Sequence, residues 1–563
     1  TNNKLLVKSL PGSHLAIAAG GYTAGTSGNA TNNHVTVDIT GSFGVQNVYG
    51  STILNTSNAG TVSGSTATLT NGMVQDIYGG YTLGTGAVTG NTATIGNGQA
   101  VGSLYGGYIE NSTSTAEASG NHAILNGGKV SNLRGGGTAG SGDATNNAVL
   151  ISGGEVAYVQ GGMASGGAAT NNTVTIAGGK VTSFVAAGWA NGNQSNNTVN
   201  LGDGTTATLK TGTDLSTASI YGAKSGGGSR ADNTLNIKAS GITVKEVDAF
   251  DTYNFVLNDK IAAGSTMLHL VQGGLGTGAL DWSKVKADET GLGAWMAAQT
   301  ARSIELTLVE GATANSLSFT GGSGVYSTAG NYEIGITTNT GTNTAQKLLL
   351  GANQFKNVTE AQATYDGTTP PTLVGSDKEV CGGLSKYGNT TENNQLKITG
   401  VAAGDSIKAY GGKTEQHPTI ATGGSKNNSV TVEDTGTGTI TMLYGGYTRA
   451  RGAADGAVTG NTVTVKKGTV NNVFGGENVW AANSNDVTDN TVTIDGGALI
   501  SVTGGSASGA GTVSGNTVTF NGGTVNTLKG GQSSNASGKV NANTVTITGG
   551  TVTGEVYGGY TTG

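Results

Sequence analysis

The sequence predicts an all-β protein, a right-handed parallel β-helix (solenoid) in two segments with a mostly β, non-repetitive module between them. One short phrase recurs fourteen times, and self-similarity at a period of about 20–50 residues indicates stacked units. Glycine is abundant, at 101 residues, while proline numbers only 4, which is typical of tight turns without a collagen period. Within each phrase, apolar and polar residues alternate as they do in a half-buried strand.

Each phrase begins with Asn or Ser, continues through alternating apolar residues and a Gly turn, and closes on Gly-Gly. One example runs from Asn543 through Val545 and Ile547 to Tyr557-Gly-Gly-Tyr560. The stretch after Gly-Gly varies in length, as surface loops do. The fourteen starts are Asn33, Ser65, Asn91, Asn121, Asn147, Asn172, Asn197, Asn233, Asn394, Asn428, Asn461, Asn490, Asn516 and Asn543.

The spacing within a phrase predicts three short strands and three corners per coil. Val174 and Ile176 share one face, while the threonines beside them share the other. Val470 and Val473 are three residues apart, which breaks the alternation and requires a corner between them. Each coil is expected to add about 4.8 Å along the axis.

The first Asn of each phrase has the parity of the inward Val and Ile residues. Repeated coil upon coil, its amide can donate to the next Asn and satisfy backbone groups at the corner. We therefore expect a buried amide ladder. The alternative for the Asn-Asn-Thr triplets is glycan attachment, which requires an exposed, flexible loop.

The repeats divide the chain into three parts: a β-helical segment over 1–238, a non-repetitive insert or capping module over 239–392, and a second β-helical segment over 393–563. The middle part holds Phe250, Trp282, Trp295 and Cys381. Its apolar alternation at 303–309 predicts a strand, and 284–300 allows one short helix. We expect this module to cap the two segments or to bend the rod.

Composition limits the possible partners. Charged residues make up 11% of the chain and the formal charge is −6, so no cationic cluster favours nucleic acid. No run of 18 apolar residues occurs, and we expect no membrane-spanning helix in this fragment.

Because the sequence starts at Thr1 and stops at Gly563 within a repeat, we interpret it as a piece of a longer protein. A filament subunit that stacks end to end is the alternative.

The Asn-x-Val-x-Ile units, Gly-Gly corners and Tyr-Gly-Gly-Tyr closures resemble the secreted passenger region of bacterial autotransporters, the pertactin-like β-helical surface adhesins with Gly-Gly-Tyr repeats. The resemblance covers the repeats on both sides of the middle module. It implies a secreted or cell-surface protein of the Gram-negative bacterial outer membrane that acts in cell adhesion and virulence. The implied partner is a host or bacterial surface glycan or protein, with possible self-association through β-helix edges.

The runner-up function is a polysaccharide-degrading enzyme on the same scaffold. Such a site needs paired carboxylates on neighbouring coils, or an Asp cluster that holds calcium. Adjacent carboxylates occur only at Asp288-Glu289 and Glu433-Asp434, and neighbours on a strand point to opposite faces. The histidines lack metal-ligand spacing, and Cys381 is expected to be inert. We therefore expect no enzyme, no catalytic residue, no metal and no cofactor.

The residue before each Gly-Gly forms a column that is often aromatic. Because Arg134, Gln160 and Lys529 also occupy it, we expect the column to point outward. An exposed aromatic strip would suit sugar rings or a protein partner, but aromatic stacking between coils, which needs no ligand, is the favoured interpretation. The two roles are compatible. The hypothetical ligand-binding residues are Tyr49, Tyr78, Tyr105, Tyr410, Tyr444, Phe474 and Tyr557.

A second column has the pattern Thr-x-Thr, as at Thr462 and Thr464. It resembles the flat face of β-helical ice-binding proteins, but Thr is also the ordinary polar residue of an exposed strand. Ice binding is therefore the less favoured interpretation. The predicted function is a secreted cell-surface adhesin or structural stalk that presents loops and the aromatic column for attachment or self-association.

Overall fold

The predicted fold class, a parallel β-helix, is confirmed. The computed structural model is 61% strand and 3% helix, with stacked parallel coils that form a β-solenoid of about 17 turns. It describes residues 1–8, 14–40, 44–224, 226–299, 303–313, 317–339, 346–356, 363–367, 378–415, 423–449 and 455–562. The first of two compact units comprises Thr1–Gly291, Leu306–Val325 and Thr337–Leu349, and the second comprises Leu292–Glu305, Tyr326–Ile336 and Leu350–Gly563.

Coils of the first unit contribute three kinds of strand, named here in chain order. Short strands precede the first Asn or Ser of the phrase, ladder strands follow it, and corner strands come after the ladder strands. The short strands are Ala30–Thr31, Val62–Ser63, Val88–Thr89, Ala118–Ser119, Ala144–Thr145, Ala169–Thr170, Gln194–Ser195 and Arg230–Ala231. The ladder strands are Lys4–Lys8, His34–Asp38, Thr66–Asn71, Thr92–Ile95, His122–Leu125, Thr198–Leu201, Thr234–Ile237, Thr252–Val256 and Val285–Asp288. The corner strands are Leu15–Thr23, Val45–Ile53, Met73–Thr82, Gln99–Ile109, Lys129–Thr138, Leu215–Lys224, Ile242–Asp248 and Thr266–Leu270, and all but the last two carry Gly-Gly or its equivalent. In two coils the ladder and corner strands are continuous, over Ala148–Ala164 and Thr173–Ala190.

The second unit repeats the same three kinds of strand. The short strands are Thr391–Glu392, Gly423–Lys426, Asp455–Thr459, Val487–Thr488, Thr512–Ser514 and Lys539–Asn541. The ladder strands are Ala363–Tyr365, Gln395–Ile398, Ser429–Glu433, Thr462–Lys467, Thr491–Ile494, Thr517–Phe520 and Thr544–Ile547. The corner strands are Glu379–Ser385, Ser406–Thr414, Thr439–Thr448, Thr469–Asn478, Ala498–Ala507, Thr524–Val525 with Thr527–Ser533, and Thr551–Val552 with Val556–Thr561.

The remaining elements lie between the two repeat series. The strands are Leu280–Asp281, Ser303–Glu310, Phe319–Thr320, Val325–Ala329, Tyr332–Thr338 and Lys347–Gln354, and the helices are the 3₁₀ turns Trp282–Lys284 and Glu289–Gly291 and the α-helix Leu292–Gln299. The α-helix falls inside the predicted 284–300, and Ser303–Glu310 covers the predicted strand.

The residue before each ladder position adopts a left-handed backbone conformation, with φ between 53° and 68°. Asn, Asp and Gly tolerate this conformation best, which explains why one of them precedes the ladder residue in every phrase except the one that has Ala542 there. The first Asn of each Asn-Asn-Thr triplet, at 171 and 196, therefore makes a corner. The fourteen left-handed residues are Asn32, Gly64, Gly90, Gly120, Asn146, Asn171, Asn196, Asp232, Asn393, Asn427, Gly460, Asp489, Gly515 and Ala542.

The predicted amide ladder is present in both units. Asn91 donates from its backbone N and from Nδ2 to the Oδ1 of Asn121, both at 3.0 Å, and Nδ2 also reaches the carbonyl oxygen of Val62 at 3.0 Å. In the second unit, Asn461 makes the same pair of bonds to Asn490 at 3.0 and 2.9 Å. Ladder residues from 33 to 233 are at most 1% exposed, so each amide satisfies buried corner groups that water cannot reach.

Most corners carry two glycines, and each of the two has its own steric reason; the corners Gly50-Ser51, Ala187-Gly188 and Gly222-Ala223 carry only one. A Cβ on Gly136 would lie 2.2 Å from the ladder oxygen Oδ1 of Asn147, whereas a Cβ on Gly135 would lie 2.4 Å from the carbonyl oxygen of Gly161 in the next coil. The second glycine therefore makes room for the ladder, and the first lets adjacent corners stack.

In one coil the second corner residue is larger than glycine, and the ladder residue that it faces is smaller than asparagine. Ser51 replaces the second glycine there, and the ladder residue that it faces is Ser65 instead of Asn, with their hydroxyl oxygens 2.7 Å apart. The hydroxyl of Ser51 also accepts from Nδ2 of Asn33 at 2.8 Å. A smaller ladder residue thus accommodates a larger corner residue.

Aliphatic side chains fill the interior of the coils. In the second unit Val463 and Val465 point inward from a ladder strand, and Val470 and Val473 from the next corner strand; each is at most 1% exposed. The last two are three residues apart and both buried, so strict alternation is broken between them within the continuous strand Thr469–Asn478; the corner that this spacing predicts stays a prediction.

Parallel pairing does not stop where the sequence phrase stops. Thr252–Val256 pairs with Thr234–Ile237, which places Asn254 beside Asn236 with their amides bonded at 3.0 Å. In the second unit, Glu379–Ser385 pairs with Ser406–Thr414 in the register of the Gly-Gly corners. The limits at 238 and 393 therefore mark the sequence phrase and not the end of strand pairing.

Candidate functional site

The aromatic residues of the first unit stack from coil to coil. Tyr49, Tyr78 and Tyr105 occupy equivalent positions of successive corner strands. The ring centroids of Tyr49 and Tyr78 are 5.2 Å apart with an interplanar angle of 16°, and those of Tyr78 and Tyr105 are 5.1 Å apart at 7°. Parallel strands in register impose this spacing, because adjacent strands lie about 4.8 Å apart.

A second row of tyrosines covers this stack. The ring centroids of Tyr81 and Tyr78 are 4.9 Å apart with an interplanar angle of 62°, and those of Tyr108 and Tyr105 are 4.8 Å apart. Tyr49 and Tyr105 are each only 7% exposed. Stacking between coils, the interpretation that the sequence favours, is therefore confirmed, and burial leaves little of Tyr49 and Tyr105 exposed as a strip.

The burial of the column changes its electrostatics. Burial raises the pKa of Tyr49 to about 12, with the carboxylates of Asp76 and Glu110 acting in the same direction. Tyr81 donates a hydrogen bond to Glu110, and Arg134 covers the end of the stack, 5.0 Å from the centroid of Tyr105. The hydroxyl of Tyr81 thus donates to Glu110, whereas that of Tyr105 accepts from Arg134.

The second unit carries an equivalent column. The rings of Tyr410 and Tyr444 stack at 4.9 Å and 8°, and Phe474 continues the stack at 5.2 Å from Tyr444. Tyr410 and Tyr444 are 4% and 5% exposed, so stacking between coils with little exposed ring surface is found here too. Tyr557, the last predicted member, is half-buried and contacts Tyr560 at 5.0 Å. Ligand binding by the seven column residues stays a prediction.

Cys381 occupies the first position of this second column, in register with Tyr410. Its side chain is fully buried, and burial raises the pKa of the thiol to about 12. Close by, the buried Lys413 pairs with Glu379 at 2.6 Å and with Glu415 at 2.8 Å. The sequence pattern Val-Cys-Gly-Gly is the signal that could have placed this cysteine in a corner strand.

Three aromatic residues outside the predicted column form a separate group in the first unit. Tyr158 and Phe184 lie two residues before the column position, and Trp189 lies three after it, in the row that Tyr81 and Tyr108 occupy. Sequence reasoning missed them because it followed only the residue next to Gly-Gly. Their common strand register with the column was the available signal.

Within the described ranges, no group of three or more His, Cys, Asp or Glu side chains is placed to hold a metal ion. The Thr-x-Thr residues of the second unit lie in register on successive ladder strands, for example Thr462 beside Thr491 and Thr464 beside Thr493. Ice binding by this array stays a prediction.

Neither a protein-family model, nor a curated protein, nor a solved structure matches this chain. The β-solenoid of about 17 turns is consistent with a β-helical passenger. Among the residues that the structure describes, no helix is long and apolar enough to cross a membrane.

Proposed function

We propose that the chain is a secreted, cell-surface β-helical adhesin or structural stalk that works by presenting surface. The observation that supports this most directly is the cohesion between coils within each unit. A buried amide ladder and stacked tyrosines connect each coil to the next, so pulling neighbouring coils apart would leave buried polar groups without partners. Such a scaffold suits a protein that holds a binding surface under mechanical load.

The position of the variable residues supports the same proposal. The ladder and the corner glycines fix the interior, whereas the loops after each corner differ in length and sequence. Placement on the Gram-negative outer membrane, a role in virulence, and a host or bacterial glycan or protein as partner rest on the resemblance of the repeats to autotransporter passengers. Self-association through β-helix edges belongs to the same proposal.

Bead adhesion under flow tests the proposal. Beads that carry the purified chain would pass over surfaces coated with glycans, with proteins or with albumin alone. We expect retention on at least one glycan or protein coat above the albumin level, without release of reducing ends. Multiple-turnover release of reducing ends from a polysaccharide would instead establish the enzyme alternative. No retention on any coat would contradict the adhesin.

The predicted role of the aromatic column is tested in the same assay. A chain carrying Tyr78→Ala and Tyr105→Ala together would lose retention if the column itself binds the ligand. Unchanged retention, with the chain still folded by circular dichroism, would leave the column with a stacking role only.

A further inference from the structure

The column of the first unit continues after its stacked tyrosines with Arg134 and Gln160 and reaches its smallest side chain at Ala186. Ala186 lies in register with Gln160 on one side and Tyr221 on the other. Its methyl group is buried and fills little of the position that a tyrosine takes elsewhere. The residues that flank it, Phe184 and Trp189, stack on each other with centroids 5.2 Å apart and an interplanar angle of 25°.

The aromatic group continues along the coils and is more open than the column. Tyr158 is in register with Phe184 and contacts it at 5.2 Å. The Tyr158 side chain is 44% exposed, in contrast to the 7% of Tyr49 and Tyr105. Phe184, Trp189 and Tyr221 are half-buried. Together they expose aromatic area that no second row of tyrosines covers.

Charged and hydrogen-bonding groups border these rings in fixed positions. The ammonium group of Lys224 lies 3.9 Å from the centroid of Tyr221 and 5.2 Å from that of Phe184. The hydroxyl of Tyr221 donates to Glu246 at 3.1 Å, and Ser219 donates to the same carboxylate at 2.7 Å. The Lys224 ammonium and the hydrogen-bonded Glu246 carboxylate thus lie at one edge of the aromatic surface.

This combination matches the chemistry of a pyranose ring. A pyranose presents an apolar C–H face, which packs on an aromatic ring, and a rim of hydroxyls, which needs both donors and acceptors. A purely apolar partner would remove water from the Lys224 ammonium and the Glu246 carboxylate without replacing its hydrogen bonds, which is costly. A purely anionic partner would oppose Glu246.

We propose that Tyr158, Phe184, Trp189, Tyr221 and Lys224, here called the aromatic platform, bind a glycan built of hexopyranose units. The inference rests on the proposed adhesin function and assigns its ligand class. The rings contact the C–H face of the sugar, Lys224 donates to its oxygens, and Glu246 accepts from its hydroxyls.

Isothermal titration of the full chain with three probes tests the platform: cellohexaose, chitohexaose and an oligogalacturonate. The variants are Tyr158→Ala and Trp189→Ala, and the matched control is Tyr22→Ala, which removes a ring that is 57% exposed outside the platform. We expect at least one probe to bind, each platform variant to weaken it by at least about tenfold, equivalent to about 1.4 kcal/mol, and the control to bind like the native chain. Circular dichroism checks the fold of the Trp189 variant, and the exposed Tyr158 gives an independent result if that variant does not fold.

The outcomes separate this inference from the function on which it rests. Binding of a probe that both variants retain would overturn the platform and leave the adhesin standing. Retention of beads on protein coats, with none of the three probes bound, would likewise overturn the platform and indicate a protein partner. Absence of binding and of retention on every coat would overturn both.

Discussion

The exchange of volume at Ser51 and Ser65 can be transplanted to another coil. Gly136 and Asn147 stand in the same relation, since a Cβ on Gly136 would meet the Asn147 amide. The neighbouring short strands begin with Ala118 there and with Ala30 in the natural case, so the surroundings match. We predict that Gly136→Ser and Asn147→Ser each destabilise the coil and that together they compensate.

The structure gives the size of each effect. Gly136→Ser alone places its Cβ 2.2 Å from Oδ1 of Asn147, and overpacking of this kind costs about 1–3 kcal/mol. Asn147→Ser alone removes the bond from Nδ2 to the carbonyl oxygen of Ala118, 2.9 Å long, and leaves a buried acceptor without its partner, at about 1–3 kcal/mol. In the double variant the new hydroxyl at 136 can accept from Nδ2 of Asn121, as Ser51 accepts from Asn33. We expect a favourable coupling energy of about 1–3 kcal/mol.

Hydrogen exchange followed by mass spectrometry is the suitable assay, because repeat arrays open locally and a single unfolding midpoint does not describe them. Peptides covering 118–149 report the opening free energy of this coil in the native chain, both single variants and the double variant. The control, Asn126→Ser, changes an exposed Asn of the same coil and should stay within about 0.5 kcal/mol. If the opening free energy of the double variant is reduced by the sum of the two single reductions, the steric account of the Gly-Gly corner is refuted.

Three further predictions concern single residues. Ala542 is the only alanine among the fourteen left-handed corner residues, with φ of 53°, so Ala542→Gly should stabilise the peptide 539–547 against exchange by about 1 kcal/mol; Ala536→Gly, in a turn without positive φ, should not. Burial raises the pKa of the Glu477 carboxyl from 4.5 to about 7. Between those two pH values the folded state therefore holds a proton that the unfolded state has released, so the stability of the folded state falls as pH rises. Hydrogen exchange measured over this pH range should show that fall in the native chain and not in Glu477→Gln. Because burial raises the pKa of Cys381 to about 12, iodoacetamide at pH 8 should leave the folded thiol unmodified and alkylate it only in denaturant; rapid alkylation of the native chain would show that it is accessible.

The sequence was sufficient for the interior of the fold. Strand parity assigned Val174 and Ile176 to the core, and the repeated Asn at their parity predicted the ladder, because both depend on local periodicity. The glycine at 136 could be recognised as part of a corner, but not as the partner of Asn147. That relation joins adjacent coils, and a single phrase does not contain both residues in contact.

The exposure of the aromatic column could not be predicted in the same way. The presence of Arg134 and Gln160 in the column correctly indicates that the position lies outside the aliphatic core. It does not reveal that Tyr81 and Tyr108, three residues further along, fold over the rings. Burial on the outer side of a solenoid depends on two columns at once, and the residue types in one column do not show how the side chains of the other pack against it.

The column before Gly-Gly and the second row together decide whether ring contacts close the corner surface or aromatic rings stay exposed on it. Where the position before Gly-Gly holds tyrosine and the second row also holds tyrosine, as at Tyr105 and Tyr108, ring contacts close the surface and stabilise neighbouring coils. Where that position shrinks to Ala186, the aromatic side chains lie on either side of it and remain accessible. The ladder beneath is the same in both cases, with Asn172 bonded to Asn197 at 3.1 Å as regularly as Asn91 is to Asn121. Because the ladder does not depend on the outer columns, a change of one outer side chain can expose aromatic area and remove ring contacts while the hydrogen bonds of the interior stay in place.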